Sequence, residues 1–267
     1  MTGISSKKAA GTENKDENTK NIKSGKNEKD TKDTKDTITI TIIQPVYGSG
    51  NSASSIQSLK SLIEHETGSL DAVFDVSISN NRFVLNVSGE DAVIASNLFL
   101  EEFGRVYSID EIVPGEIYKG YISKIEKEEV CVCCGPEFSI SAGSLKSLGS
   151  GIASQIATRF GFVLYQPVSF YVLPDMKTAE FSKEQIDTWW SWKKSSTDKI
   201  IVNSATRSRV KSALKKKGHG RDVYGVEKLG LFESLIICRE NTDAPGIVAS
   251  IGPLLKSDFG VIIGDKK

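Results

Sequence analysis

Two clusters in the chain carry side chains whose type and spacing could do chemistry. In Gly120-Tyr121-Ile122-Ser123-Lys124-Ile125-Glu126-Lys127-Glu128-Glu129-Val130-Cys131-Val132-Cys133-Cys134-Gly135, three of the four cysteines fall within four residues. Thiolates so close together suit a metal or redox site. The second cluster, Thr206 to Arg221, holds seven Lys or Arg and no acid. At helical spacing Val210, Ala213 and Leu214 point inward, and Arg207, Lys211 and Lys215 form an i, i+4 stripe on the outer face. Such a stripe, with Arg209, His219 and Arg221 beside it, suits phosphate contact. It equally suits a solvated face whose lysines favour the helix C-terminus.

The cysteine cluster reads better as a strand than as a ligand set. Alternation puts Val130, Val132 and Cys134 on one face and Cys131 and Cys133 on the other. Tetrahedral zinc needs four converging ligands, and His65, His219 and Cys238 stand isolated in other elements. No metal or cofactor is therefore expected. Cys134 is expected inside, with Cys131 and Cys133 on the outer sheet face beside Lys119, Tyr121 and Lys124.

The elements that must position these residues fall into three ordered segments behind a tail. Residues 1–36 are Lys, Asp, Glu, Asn, Thr and Gly with little apolar content, a composition expected to stay disordered. Residues 37–109 read βαββα: an alternating strand at Thr37–Ile43, a helix over 51–66, strands joined around Asn80-Asn81, and a helix over 91–103. Residues 113–182 read as all β, with a short helix over 152–160. Gly149-Ser150-Gly151 in that segment reads as a loop hinge or an anion cradle, without the Lys-Ser/Thr ending of a P-loop. Residues 183–197 form a connecting helix with Trp189, Trp190 and Trp192. Ile186, Trp189 and Trp190 share its packing face, and Trp192 lies off that face beside Lys193 and Lys194. Residues 198–267 read βαββαβ. The expected class is α+β multidomain, with ferredoxin-like domains at both ends.

Composition narrows the classes further. Hydrophobic residues make up 39% and charged residues 25%, which fits a globular protein. No apolar run approaches a membrane span, and four unevenly placed cysteines do not form a secreted disulfide framework. The expected location is cytoplasmic. The formal net charge is zero, so any nucleic-acid binding must rest on local patches.

The central segment resembles the S-one RNA-binding domain, a small OB-fold barrel. Gly120-Tyr121-Ile122, Gly135 and Phe181-Ser182 carry that resemblance. It implies RNA contact on the outer face, with Tyr121 stacking and Lys119 beside it. Trp192, from its own neighbours Lys193 and Lys194, is a further stacking candidate, although interdomain packing is the better reading of the tryptophan cluster. The sequence departs from the pattern where Cys131 replaces an aromatic and Glu129 a glycine, so the barrel is equally readable as a scaffold.

The chain as a whole is similar to an archaeal family named domain of unknown function 2110. Ala205–Val210, His219–Val223, Glu227–Glu233, Thr242–Ile247 and Ile251–Leu255 carry that likeness. It implies an archaeal cytoplasmic protein and no particular reaction. The expected function is non-enzymatic binding of RNA, single-stranded or structured, or association with an RNA-processing or translation assembly. The expected contacts are Arg207, Arg209, Lys211, Lys215, Arg221, Lys119, Tyr121 and Trp192. Two alternatives stand beside it: an adaptor that docks proteins, and an enzyme in which His219, Asp222, Glu233 and Asp243 converge.

Overall fold

The computed structural model describes residues 37–46 and 52–265, apart from the side chains of 52–54 and 66. The charged tail at 1–36 lies outside the described residues. Among these residues the chain is α+β, with sheets of three, five and four strands and six α-helices.

The N-terminal sheet comprises β1 (Ile38–Pro45), β2 (Val73–Ser79) and β3 (Arg82–Ser88), in the order β1-β3-β2. Helices α1 (Ser52–Thr67) and α2 (Ala92–Phe103) complete the unit. Asn80 and Asn81 close the β2–β3 hairpin at φ 48° and 61°, a left-handed pair that asparagine tolerates. After α2 the chain returns to β1 for one bridge, Ile42 against Arg105, and adds no further strand to this sheet among the described residues.

The central sheet is built from β4 (Ile117–Ile125), β5 (Glu129–Cys133), β6 (Glu137–Ser141), β7 (Pro167–Val172) and β8 (Ala179–Phe181), in the order β6-β5-β4-β7-β8. Its outer strands approach through a single parallel bridge, Ser139 to Thr178, and the Ser139 N–H donates to the Lys177 carbonyl at 3.1 Å. The expected closed barrel is therefore not found. With three residues, β8 is too short to extend a ladder to β6 as well as to β7. Helix α3 (Ala153–Arg159) and helix α4 (Lys183–Lys193) cover this sheet. Ser182 caps α4 by accepting the Gln185 N–H at 3.2 Å. Trp189 is fully buried in the central core, its ring 4.4 Å from Phe162 and 4.7 Å from Phe181.

The C-terminal sheet contains β9 (Lys199–Val202), β10 (Val223–Lys228), β11 (Ser234–Cys238) and β12 (Phe259–Ile262), in the order β10-β11-β9-β12. Strand β10 is thus an edge. Helices α5 (Arg207–Lys216) and α6 (Ala244–Leu255) pack on the sheet through Val210, Leu214, Ile247 and Ile251.

The three units are locked together by short inserts. Leu231 and Phe232, between β10 and β11, are buried in the N-terminal core, where Phe232 lies 5.9 Å from Phe83. Gly161 of the central unit touches Gly260 of β12 so closely that a Cβ on Gly260 would stand 1.9 Å from the Gly161 carbonyl oxygen.

Candidate nucleic-acid interface

The outer face of β4 and β5 is where stacking residues were expected, and it is covered. Tyr121 is only 8% exposed and clusters with Ile43, Val106, Cys133 and Tyr165. Ile43 belongs to β1, so the N-terminal unit sits on this face. Arg82 reinforces the contact, its Nη2 3.8 Å from Cys133 Sγ. Burial, with the Cys133 hydrogen bond next, raises the Tyr121 hydroxyl above its ordinary range. Tyr121 as a base-stacking residue is corrected: alternation assigned it the outer face, and a neighbouring unit occupies that face.

The cysteines follow the same division. Val130, Val132 and Cys134 lie in the central core as alternation required. Burial pushes the Cys134 thiol up to about 12. Cys131 and Cys133 lie on the outer sheet face as expected, yet each is 6% exposed because that face is covered. Among the described residues no group of three or more His, Cys, Asp or Glu is arranged to hold a metal.

Lys119 and Trp192 come together in a cleft of about 370 Å³ where all three units meet. Glu102 and Glu184 line the same cleft, so its charge does not favour phosphate. Lys119 Nζ is committed to the Glu101 carbonyl at 2.5 Å, near the C-terminus of α2. Trp192 is half-buried against both the central core and the small cluster of Val163, Ile201, Leu235 and Ile262. It packs between units, the reading preferred for the tryptophan cluster, although helical spacing sets it off the face of Ile186, Trp189 and Trp190.

The basic helix is different. Thr206 caps α5, its Oγ1 accepting the Arg209 N–H at 3.5 Å. Val210, Ala213 and Leu214 are buried, and Arg207, Lys211 and Lys215 line a groove of about 600 Å³ between α5 and β10. The Arg207 Nε donates to the Val226 carbonyl at 2.6 Å, which fixes its guanidinium on the β10 edge. Lys211 and Lys215 are exposed and make no hydrogen bond or ion pair among the described residues. Glu227 is the one acid lining the groove. Arg209 falls about 200° around the helix from Arg207 and stays outside this lining. Arg221 is exposed on the turn whose Gly220 lines the groove.

The four residues considered for catalysis do not come together. His219 Nδ1 and Asp222 Oδ2 lie 2.8 Å apart on the turn after α5. Glu233 instead is buried against the N-terminal unit, accepting the Phe232 N–H at 3.2 Å and a hydrogen bond from Gln44 Nε2. Gln44 Oε1 accepts the Leu231 N–H at 3.1 Å, and its Nε2 also reaches the Tyr165 carbonyl at 3.5 Å. All three units thus meet at this junction. Burial pushes the Glu233 carboxyl up to about 8, against the lowering effect of its hydrogen bonds. Asp243 is the N-cap residue of α6.

Three family models match the chain: the DUF2110 N-terminal domain at residues 39–109, the DUF2110 central domain at 112–193 and the DUF2110 C-terminal domain at 197–263. The chain belongs to the DUF2110 family. No curated protein matches it. Within the DUF2110 C-terminal match lie the groove, Glu233 and the His219–Asp222 pair. The DUF2110 central match holds the covered Tyr121 face.

Sequence reasoning missed Tyr224 and Gly225 of β10, which form the wall opposite the lysines. Tyr224 is 55% exposed, its hydroxyl donates to Glu240 at 2.5 Å, and the Arg239 guanidinium lies 4.8 Å from its ring centroid. An aromatic at an exposed position of a strand directly after a basic turn was the available signal.

Proposed function

We propose that this protein acts by binding RNA, through the groove between α5 and β10. The observation that carries the reading is the convergence of Arg207, Lys211 and Lys215 on one groove, with both lysines unpaired among the described residues. Cations without protein partners are available to release counterions from a phosphate backbone. The wider architecture supports it. The central strand order, with outer strands touching in parallel, agrees with an S-one-like OB fold. The C-terminal order β10-β11-β9-β12 agrees with a ferredoxin-like unit, and the N-terminal order agrees with one whose last strand is reduced. In this proposal the central unit is a scaffold, since its stacking face is buried, and the setting is an archaeal cytoplasm.

The test is a salt titration of the full chain with labelled RNA. Log affinity should fall linearly with log salt, with a slope of roughly −0.7 per neutralised phosphate on single strands. Replacing Arg207, Lys211 and Lys215 together by Gln should abolish most binding and flatten the slope by about two units. Unchanged affinity in that variant refutes the groove assignment.

A second reading has its own observation. Helix α2 exposes Val93, Ile94 and Leu98, an apolar face suited to docking a protein. Partners that remain bound to the chain after nuclease treatment, and leave when these three residues are made polar, would establish the adaptor role.

A further inference from the structure

Two glycines border the groove, one on the turn after α5 and one in β10. Gly220 and Gly225 both line the groove, neither has a left-handed φ, and a Cβ added to either meets nothing within 4 Å. Gly225 also sits inside β10, where glycine weakens a strand. Gly260 by contrast answers a steric demand, since a Cβ there would collide with Gly161. The register of β10 breaks at Gly225, a bulge of the kind glycine commonly marks, and the open space above it leaves the backbone accessible to a ligand. Next to it stands the exposed ring of Tyr224, and across from it the cationic stripe.

From this juxtaposition we propose that the groove is a track for single-stranded RNA, in which the phosphates follow α5 and the nucleotides lie on the bared edge of β10 with a base stacked on Tyr224. The inference rests on the RNA-binding reading and deepens it. Arg207, Lys211 and Lys215 are spaced by about 6 Å of helix rise each, a step of the same order as one nucleotide of an extended strand. Stacking on Tyr224 requires an unpaired base, because a duplex keeps its base faces within the stack. An acidic peptide adding to the β10 edge is the competing occupant. It is disfavoured because Arg207 already holds the Val226 carbonyl and the β10 register breaks between Val223 and Gly225, so no continuous ladder is on offer.

The experiment measures binding of the full chain to an oligouridylate of about ten nucleotides, to an RNA duplex of similar length and to polyglutamate. Thermal midpoints are recorded for every variant. Gly225→Val should keep or raise the thermal midpoint, because valine favours strands and a Cβ there meets nothing within 4 Å, and should weaken oligouridylate binding about tenfold or more. Tyr224→Leu should weaken oligouridylate binding about tenfold and leave duplex binding within about twofold. Lys211→Gln should weaken both RNAs alike. Should Gly225→Val unfold the chain, Gly225→Ala and Tyr224→Leu carry the same comparison. If RNA binds the parent chain and folded Gly225 and Tyr224 variants bind it equally well, the single-strand track is overturned while the RNA reading stands. If neither RNA binds, that reading itself falls and takes the track with it. Polyglutamate binding that RNA fails to displace would assign the groove to a peptide and overturn the proposal.

Discussion

Glu233 shows how a single carboxyl can tie three units together and carry a pH dependence with it. In the folded chain it is buried with Gln44 and the Phe232 N–H, and its carboxyl is pushed up to about 8 from an ordinary value of 4.5. The neutral form is therefore the one the fold favours. Its contribution is fully present below the unfolded value, declines as pH rises through the window between the two, and is lost above the folded value. The thermal midpoint should fall from about pH 5 to about pH 9, and Glu233→Gln should flatten that fall, since glutamine keeps an acceptor for Phe232 and never ionises. An equal fall in both proteins would show that the carboxyl is solvated. Residue-level chemistry was only half legible in advance. Alternation gave the faces of Val132, Cys134 and Tyr121 correctly, but it says nothing of what lies on a face. Tyr121 was lost as a stacking residue because a different unit packs on it.

At the scale of elements, α5 was legible almost completely, because its charge and its apolar face are both written in a 3.6-residue period. The groove it borders was not, because β10 becomes the opposing wall only through the sheet order β10-β11-β9-β12. Strand β6, whose Glu137-Phe138-Ser139-Ile140-Ser141 alternates cleanly, falls within the all-β reading of 113–182. The βαββαβ reading of 198–267 says nothing of the connection between β10 and β11, which delivers Leu231 and Phe232 into the N-terminal core. That insertion carries a clear prediction. Phe232→Ala should cost about 3 kcal/mol or more, the usual range for emptying an aromatic core site, measured by denaturant unfolding. A loss below about 1 kcal/mol would mean that the loop rests on the N-terminal unit without anchoring it.

For the whole molecule, the separate units were visible as shifts in pattern, but their packing was not. The contact between Gly161 and Gly260 depends on two positions about a hundred residues apart, and no local signal joins them. Gly260→Ala should lower the thermal midpoint by several degrees, because a Cβ 1.9 Å from a carbonyl forces the central and C-terminal units apart. No change would mean that the two units separate freely there. Their packing matters for function because it hides one expected RNA surface and leaves the other open. The central claim, that RNA lies in the α5–β10 groove, is tested most directly by ultraviolet crosslinking of single-stranded RNA to the full chain, with the attachment sites mapped by mass spectrometry. Crosslinks should fall on Tyr224 and the α5 peptides and be absent from Tyr121. Crosslinks confined to the central unit, or none above a bovine albumin control, would contradict it.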